Sequence, residues 1–297
     1  MKKAIDNWAR RIKADNEIPD SFQNFFSTSV DNQALFPYTI FAPPERGYHW
    51  KSTPKLLCLK DDGISIAEKV KKQIKITHFS FRDIYYLETG TLLLHSWLKI
   101  NGIVDGRLTT VMVEYNTVVE EIFKPLVTTI RANINYLDQT ELSSEKLKQE
   151  LHKFDYLIKE NFKYMNFGKR SLIPGEQVER VILQPDIRLK YLRFFQRLIS
   201  YTHLIILTDH ELIVIKDDNS LKIKKQARYG GVWQFIPLHK IDKIRLNSNL
   251  NNGLIELDII TPDDKITTQF TMAQKEDLEL LVAGFEQIKT PPRRECV

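Results

Sequence analysis

The sequence predicts an α+β chain that is mainly β, with two small β-barrels or sandwiches, each closed by a C-terminal helix and joined by a long amphipathic helix. Two similar apolar hairpins indicate the β modules: KLLCLKDDGISIAE at 55–68 and HLIILTDHELIVIK at 203–216. Between them, 141–170 carries apolar residues at helical spacing. With 297 residues and 42% apolar content, the chain has room for two packed cores.

The two hairpins lie in segments that repeat the same order of features, which indicates a duplication. The segment RLTTVMVEYNTVVEEIFKPLVTTIR at 107–131 aligns with KITTQFTMAQKEDLELLVAGFEQIK at 265–289. Both begin with an apolar residue and Thr-Thr, continue as a strand and turn into a helix. The second copy carries an insertion at 216–231. The alternative is that two unrelated β-rich modules share a common pattern.

Alternating apolar residues and turn signals predict seven strands and one closing helix in each copy. The first copy has expected strands at about 36–41, 55–60, 63–68, 73–81, 84–88, 91–101 and 107–115, and a helix at 117–132. The second has expected strands at about 178–184, 203–208, 211–216, 232–238, 243–247, 253–260 and 265–272, and a helix at 274–289.

The two closing helices have different signals. Asn116 or Thr117 can cap the first helix, and its apolar stripe is Val118, Ile122, Leu126 and Ile130. Pro125 within that stripe predicts a kink or a late start. The inner face of the second helix is expected to be Leu278, Leu281, Val282 and Phe285.

The predicted organisation is a helical arm at 1–35, a β domain at 36–133, a helical linker at 134–177, a β domain at 178–290 and a tail at 291–297. Ile5, Trp8 and Ile12 share one helical face of the arm, which is expected to dock on the body; contact with a membrane surface is the alternative.

The linker is predicted as one long helix, begun by Ser143 or Ser144 and ended at Gly168. Its apolar residues step by three and four: Leu147, Leu151, Phe154, Ile158, Phe162 and Met165. We expect this stripe to pack on one or both β domains. Membrane insertion is the alternative, although the basic and acidic residues of 134–178 balance.

The segments HLIILTDHELIVIKDD at 203–218 and FIPLHKIDKIRL at 235–246 resemble the pleckstrin-homology (PH) superfold, in the form of bacterial PH-like and GRAM-type modules. The resemblance covers 178–289 and extends to 36–132, where Lys60-Asp61-Asp62-Gly63 replaces Thr208-Asp209-His210-Glu211. It implies a binding module that presents loops to phosphoinositides, peptides or proteins.

Lipid-binding PH domains of eukaryotes carry Lys and Arg in their first hairpin loop, whereas the hairpin turns here are acidic. Specific phosphoinositide binding is therefore not expected from these turns.

The second copy has a polarised charge pattern within a chain of net charge +5. Residues 188–245 hold twelve Lys and Arg against five Asp and Glu, and 246–292 hold three against eight. The candidate anion- or lipid-binding residues are Arg188, Lys190, Arg193, Arg197, Lys222, Lys224, Lys225 and Arg228. The structural alternative is that Lys222 and Lys224 are the solvent face of a strand.

No catalytic, cofactor or metal motif stands out, so the sequence predicts neither an enzyme nor a cofactor. The seven histidines lack metal-ligand spacing, although His78 and His95 lie on neighbouring predicted strands. Cys58 is expected to be a buried apolar residue, and Cys296 lies in the tail. A signal peptide is not expected, because the basic start MKKAIDNWARR is not followed by an apolar segment. A membrane span is not expected either, because no apolar run approaches the roughly 20 residues that one needs.

These observations predict a cytoplasmic, non-catalytic scaffold that binds a protein partner through two modules in fixed orientation. The alternative is peripheral association with an anionic membrane, at its inner face, through the basic face of the second domain. A nucleic-acid partner is not expected, because the positive excess is small. The oligomeric state is left open.

Overall fold

The computed structural model describes residues 8–24, 37–45, 52–137, 144–191, 195–217, 230–249, 253–262 and 264–289. These residues form an α+β protein, mainly β, with several antiparallel sheets. The chain divides into two compact units, Met1–Tyr136 and Leu137–Val297. No sheet of the described strands closes on itself, so the predicted barrels are not closed.

The first unit contains all seven strands that the sequence predicted for it, preceded by one that it did not predict. One antiparallel sheet has the sequence order β1 Arg10–Ile12, β2 Thr39–Ala42, β3 Lys55–Leu59, β4 Gly63–Val70 and β5 Gln73–Ser80. An antiparallel meander follows, formed by β6 Ile84–Leu92, β7 His95–Val104 and β8 Arg107–Asn116. The 3₁₀ turn Thr117–Ile122 and helix α1 Lys124–Ile134 end the unit.

The late start that Pro125 predicted for the first closing helix is confirmed. Pro125 lies in the first turn of α1, where its missing N–H leaves no helical bond unmade. The Asn116 side chain accepts the backbone N–H of Val118 and so begins the 3₁₀ turn. The predicted stripe is therefore divided: Leu126 and Ile130 are buried, whereas Val118 is exposed.

From residue 144 onward, the described part of the second unit starts with three helices: α2 Ser144–His152, α3 Leu157–Glu160 and α4 Phe162–Ser171. Its strands are β9 Val178–Gln184, β10 Ile187–Tyr191, β11 Phe195–Ser200, β12 His203–Thr208, β13 Glu211–Lys216, β14 Gly231–Pro237, β15 Lys243–Asn249, β16 Leu254–Ile260 and β17 Lys265–Thr271. Helix α5, Lys275–Lys289, ends the described part of the unit.

The strands of the second unit pair in three antiparallel groups. Four of them pair in the order β9-β12-β13-β14, and β15, β16 and β17 form a meander. Between β9 and β12 the chain makes a separate hairpin of β10 and β11. On α5, Leu278, Leu281 and Phe285 are fully buried, so its predicted inner face is confirmed at these positions.

The expected single linker helix is wrong, because the chain turns between α2 and α3 and again at Asn161. Asn161 has an extended backbone, and its side chain accepts the N–H of Tyr164 to begin α4. The breaks change which residues face inward. Phe154 is buried as predicted, but Ile158 and Phe162 are more than half exposed.

Gly168 does not end a helix; it lies within α4 at a close packing contact. A Cβ at this position would lie 2.6 Å from ring carbons of Phe154 and 3.2 Å from Cδ2 of Leu204 in β12. The predicted packing of the linker against a β domain is thus confirmed within the second unit.

Strands β12 and β13 are buried along almost their whole length because both faces are covered. Leu204 faces α4 near Gly168, whereas Leu207 Cδ2 lies 3.2 Å from the Cβ position of Gly284 in α5. Since these leucines are three apart in a strand, they point to opposite faces. This explains why HLIILT and ELIVIK are continuous apolar runs rather than alternating ones.

The described part of the N-terminal arm is not the expected helix, since Arg10–Ile12 form β1 and pair with β2. Residues 1–7, including Ile5, lie outside the described residues. The arm does dock on the body. Ile12 and Phe22 form a buried cluster with Leu56 and Cys58 on one face of β3.

Candidate binding surface on the β10–β11 hairpin

The β10–β11 hairpin carries part of the basic cluster that the sequence predicted. Arg188 and Lys190 lie in β10 and Arg197 in β11, and both arginines are exposed. The other predicted residues lie outside the described residues: Arg193, Lys222, Lys224, Lys225 and Arg228. The sequence predicted no strand between 184 and 203, so the hairpin itself was missed.

The register of the hairpin separates these basic residues. Arg188 is directly opposite Leu198, and Leu189 is opposite Arg197. Opposed residues of an antiparallel pair share a face, and successive residues alternate between faces. Arg188 and Arg197 therefore belong to opposite faces of the hairpin.

Asp186 links the two ends of the hairpin at its base, since it bonds both Arg188 in β10 and Thr202 after β11. Its Oδ1 accepts bonds from the backbone N–H and the hydroxyl of Thr202, each at 3.0 Å. Its Oδ2 lies 2.9 Å from Nη2 of Arg188. Burial alone would raise the pKa of Asp186, but the hydrogen bonds from Arg188 and Thr202 outweigh it and lower the pKa. The carboxylate therefore stays ionised and braces the hairpin.

A partly buried network lies beside this base, between α4 and the end of β13. Asp217 Oδ1 lies 2.5 Å from Nζ of Lys163 and 3.1 Å from the hydroxyl of Tyr164, which also contacts the carbonyl oxygen of Thr202. Burial raises the pKa of Asp217 despite the nearby Lys163, and burial also raises the pKa of Tyr164. Asp217 is the second residue of the predicted insertion at 216–231, and only the fold reveals its partners.

The acidic turn between β12 and β13 is part of the fold rather than an open ligand loop. It joins the second and third strands in the order β9-β12-β13-β14, not the first and second. Thr208 and Glu211 are buried, and Thr208 Oγ1 accepts the N–H of Glu211 at 2.9 Å. Asp209 Oδ1 accepts the N–H of Gln177, and the N–H of Asp209 donates to the carbonyl of Gln177.

The first connection of this strand order, between β9 and β12, is therefore the one that contains the β10–β11 hairpin. This connection holds Arg188, Lys190 and Arg197. In the sequence, the acidic turn between β12 and β13 was instead compared with the first hairpin loop of lipid-binding PH domains. The acidic residues of that turn consequently give no argument against an anionic ligand at the first connection.

His78 and His95 have separate partners instead of a shared ligand. His78 Nδ1 lies 2.9 Å from Ser65 Oγ, and His95 Nε2 lies 3.2 Å from Glu114 Oε1. Across the described ranges, no group of three His, Cys, Asp or Glu residues is arranged to hold a metal ion. Cys58 is buried as predicted, and burial raises the pKa of its thiol.

No protein-family model matches this chain, and a search of curated proteins finds no match either. Among the described helices, none has both the length and the apolar composition needed to cross a membrane. The geometry of the hairpin is therefore the main basis for a functional proposal.

Proposed function

We propose that this chain is a non-catalytic, cytoplasmic binding protein made of two PH-like modules, and that the β10–β11 hairpin binds a protein partner. The shared strand order supports the PH-like assignment. In the first unit the antiparallel run β2 to β5, with β1 added at its edge, is followed by a meander of three strands and a helix. In the second unit the antiparallel run β9-β12-β13-β14, interrupted by the β10–β11 hairpin, is also followed by a meander of three strands and a helix. Since a fold alone does not give a function, the hairpin carries the binding proposal.

The observation that carries this proposal is the placement of exposed arginines on opposite faces of one braced hairpin. A cleft in a protein contacts both faces of an inserted hairpin, whereas a flat surface contacts one face or the tip. Guanidinium groups form paired hydrogen bonds with carboxylates. The partner surface that fits is therefore an acidic cleft that holds Arg188 on one wall and Arg197 on the other.

The anchored base of the hairpin favours binding, because a preorganised element loses little conformational entropy when it docks. Asp186 holds both ends of the hairpin, and Tyr164 and Asp217 lie beside it. The faces of β12 are already occupied by α4 and α5. A partner therefore has no access to the faces of β12, whereas Arg188 and Arg197 of the hairpin are exposed.

A second candidate function is peripheral attachment to an anionic membrane through the same hairpin. The basic excess of 188–245 favours it, since each basic residue near an anionic leaflet contributes about 1 kcal/mol.

Binding assays with two probes test these functions. Poly-L-glutamate represents an acidic protein surface, and phosphatidylcholine vesicles with or without phosphatidylserine represent the membrane. We expect Arg188→Gln and Arg197→Gln each to weaken poly-L-glutamate binding several-fold, and the double variant to weaken it further. Arg245→Gln, an equal charge change at an exposed position of β15, is the control.

The Arg197→Gln result is the cleaner one, because Arg188 also binds Asp186. Equal binding by the wild type and both variants would contradict a role for the hairpin. The membrane function would be favoured instead if the wild type sedimented with phosphatidylserine vesicles but did not bind poly-L-glutamate, and if the double variant no longer sedimented.

A further inference from the structure

The turn between β6 and β7 exposes two adjacent leucines beside a third apolar residue. Leu93, Leu94 and Val118 are 52%, 65% and 58% exposed, and we refer to them as the apolar tip. The backbone N–H of Thr117 donates to the carbonyl of Leu94 at 2.9 Å, and Ser96 Oγ lies 2.8 Å from Thr117 Oγ1. These bonds hold the β6–β7 turn against the start of the 3₁₀ turn.

Leu93 occupies a backbone conformation that does not suit leucine. Its φ is 56°, in the left-handed region that Gly and Asn adopt with less strain. The two-residue turn between β4 and β5 places Lys71 at the same φ of 56°. The conformation therefore belongs to this kind of turn and does not itself require leucine, although the turn between β6 and β7 exposes leucine there.

Four glutamates are near the apolar tip, either in the same 3₁₀ turn as Val118 or in contact with His95, the residue after Leu94. We define the acidic rim as Glu45, Glu114, Glu120 and Glu121. Glu114 contacts His95, the residue after Leu94, and Glu45 interacts electrostatically with both of them. The last two follow Val118 in the same 3₁₀ turn.

Two described basic residues lie next to the rim. The ammonium of Lys124 pairs with Glu121, and Arg11 lies 3.8 Å over the ring of Tyr38, whose hydroxyl donates to the carbonyl of Ile122 in the same 3₁₀ turn. Four carboxylates against one ammonium and one guanidinium give this surface a formal charge of −2, with His95 neutral.

We propose that the apolar tip and the acidic rim dock a segment of a partner protein whose apolar side chains are flanked by Lys or Arg. The tip supplies apolar area that a partner removes from water, and the rim attracts the basic flanks. The rim argues against two other occupants. The negative charge of the rim repels an anionic leaflet. In a two-fold contact between copies, the rim of one copy lies against the rim of the other, and their like charges repel. This surface lies in the first unit and does not depend on Arg188 or Arg197.

Three synthetic helical peptides serve as probes for the full chain in a fluorescence anisotropy titration. One has leucines on one face and lysines elsewhere, the second replaces the lysines with glutamates, and the third replaces the leucines with serines. We expect the lysine–leucine peptide to bind about tenfold or more tightly than either of the others.

The double variant Leu93→Asn/Leu94→Ser should weaken binding of the lysine–leucine peptide about tenfold. Its matched control is Leu280→Ser, at an exposed leucine of α5. The double variant Glu120→Gln/Glu121→Gln should weaken binding several-fold and reduce its dependence on salt. Because Asn tolerates a left-handed backbone, Leu93→Asn should keep or raise the melting temperature, which separates lost binding from lost folding.

Several results would overturn the proposal. One is unchanged peptide binding by the leucine variant, and another is a preference for the glutamate peptide. Self-association that the leucine variant abolishes would assign the tip to a second copy, and vesicle binding that it abolishes would assign it to lipid. The variant Arg188→Gln/Arg197→Gln should leave binding of the lysine–leucine peptide unchanged, so this inference and the hairpin function fail independently.

Discussion

His203 makes the second unit sensitive to acid, because it is a neutral histidine in an apolar interior. Only 2% of the residue is exposed, and its ring lies 4.8 Å from that of Phe270. Nδ1 lies 2.9 Å from the carbonyl oxygen of Tyr201, while Nε2 has no hydrogen-bond partner within the described part of the chain. Burial, with a smaller effect of Lys216, lowers the pKa of His203 to about 4, although the bond to Tyr201 opposes the shift.

The size of the effect follows from the difference between the pKa of His203 in the folded state and its pKa in the unfolded state. An unfolded histidine has a pKa of about 6.5, so the unfolded chain takes up a proton before the folded chain does as the pH falls. The stabilisation is complete above about pH 6.5 and is lost as the pH falls towards 4. At pH 5, relative to pH 7.5, the loss from this group is about 2 kcal/mol.

The variant His203→Leu should remove this pH dependence, whatever its effect on stability at neutral pH. Urea titrations at both pH values, followed by hydrogen exchange of peptides from β12 and β13, report on the second unit specifically. We expect the free energy of unfolding of wild type to fall by about 2 kcal/mol more than that of the variant. His152→Leu, at an exposed histidine of α2, should keep the wild-type slope. Equal slopes for wild type and His203→Leu would refute the reasoning.

Three further changes test the packing. Gly168→Ala places a methyl group against the ring of Phe154 and should lower the free energy of unfolding by about 1–3 kcal/mol, whereas Gly284→Ala, which meets a movable leucine methyl, should have a smaller effect in the same denaturation assay. Glu176→Ala leaves the buried N–H of Ile173 without its 2.8 Å acceptor and should destabilise the unit by about 1–3 kcal/mol, with faster hydrogen exchange at the β12–β13 turn. Phe22→Ala should cost about 3–5 kcal/mol and make the N-terminal arm sensitive to limited proteolysis; an unchanged cleavage pattern would contradict the packing of the arm on β3.

The strands and closing helices were predictable because their signals are local. The runs at 203–208 and 211–216 match β12 and β13, and the apolar positions of α5 point inward as their spacing predicted. Each such element shows its period within a few residues, so its neighbours in sequence contain enough information.

The linker and the arm were predicted less well because helical spacing does not show where a helix is interrupted. Leu147 to Met165 steps by three and four, yet Asn161 breaks the helix and leaves Phe162 exposed. In the arm, Arg10–Ile12 pairs with β2, and a distant strand decided that outcome.

The candidate site shows the same division. The sequence identified Arg188, Lys190 and Arg197 by their charge, but not the hairpin that separates them. The sequence did not identify Asp186 or Asp217 as part of a site, since only the fold brings Thr202 and Tyr164 into contact with them.

The sequence alone determined the seven strands from β2 to β8, the strands of the second unit other than β10 and β11, the two closing helices, the burial of the apolar hairpins and the location of basic residues in the second copy. The tertiary structure decided which faces are covered, which turn is buried, which arginines share a face and where Leu93, Leu94 and Val118 meet. The physical reason is range. Periodicity and turn chemistry act between neighbours along the chain, whereas covering a face or aligning a strand requires contacts between residues far apart in sequence.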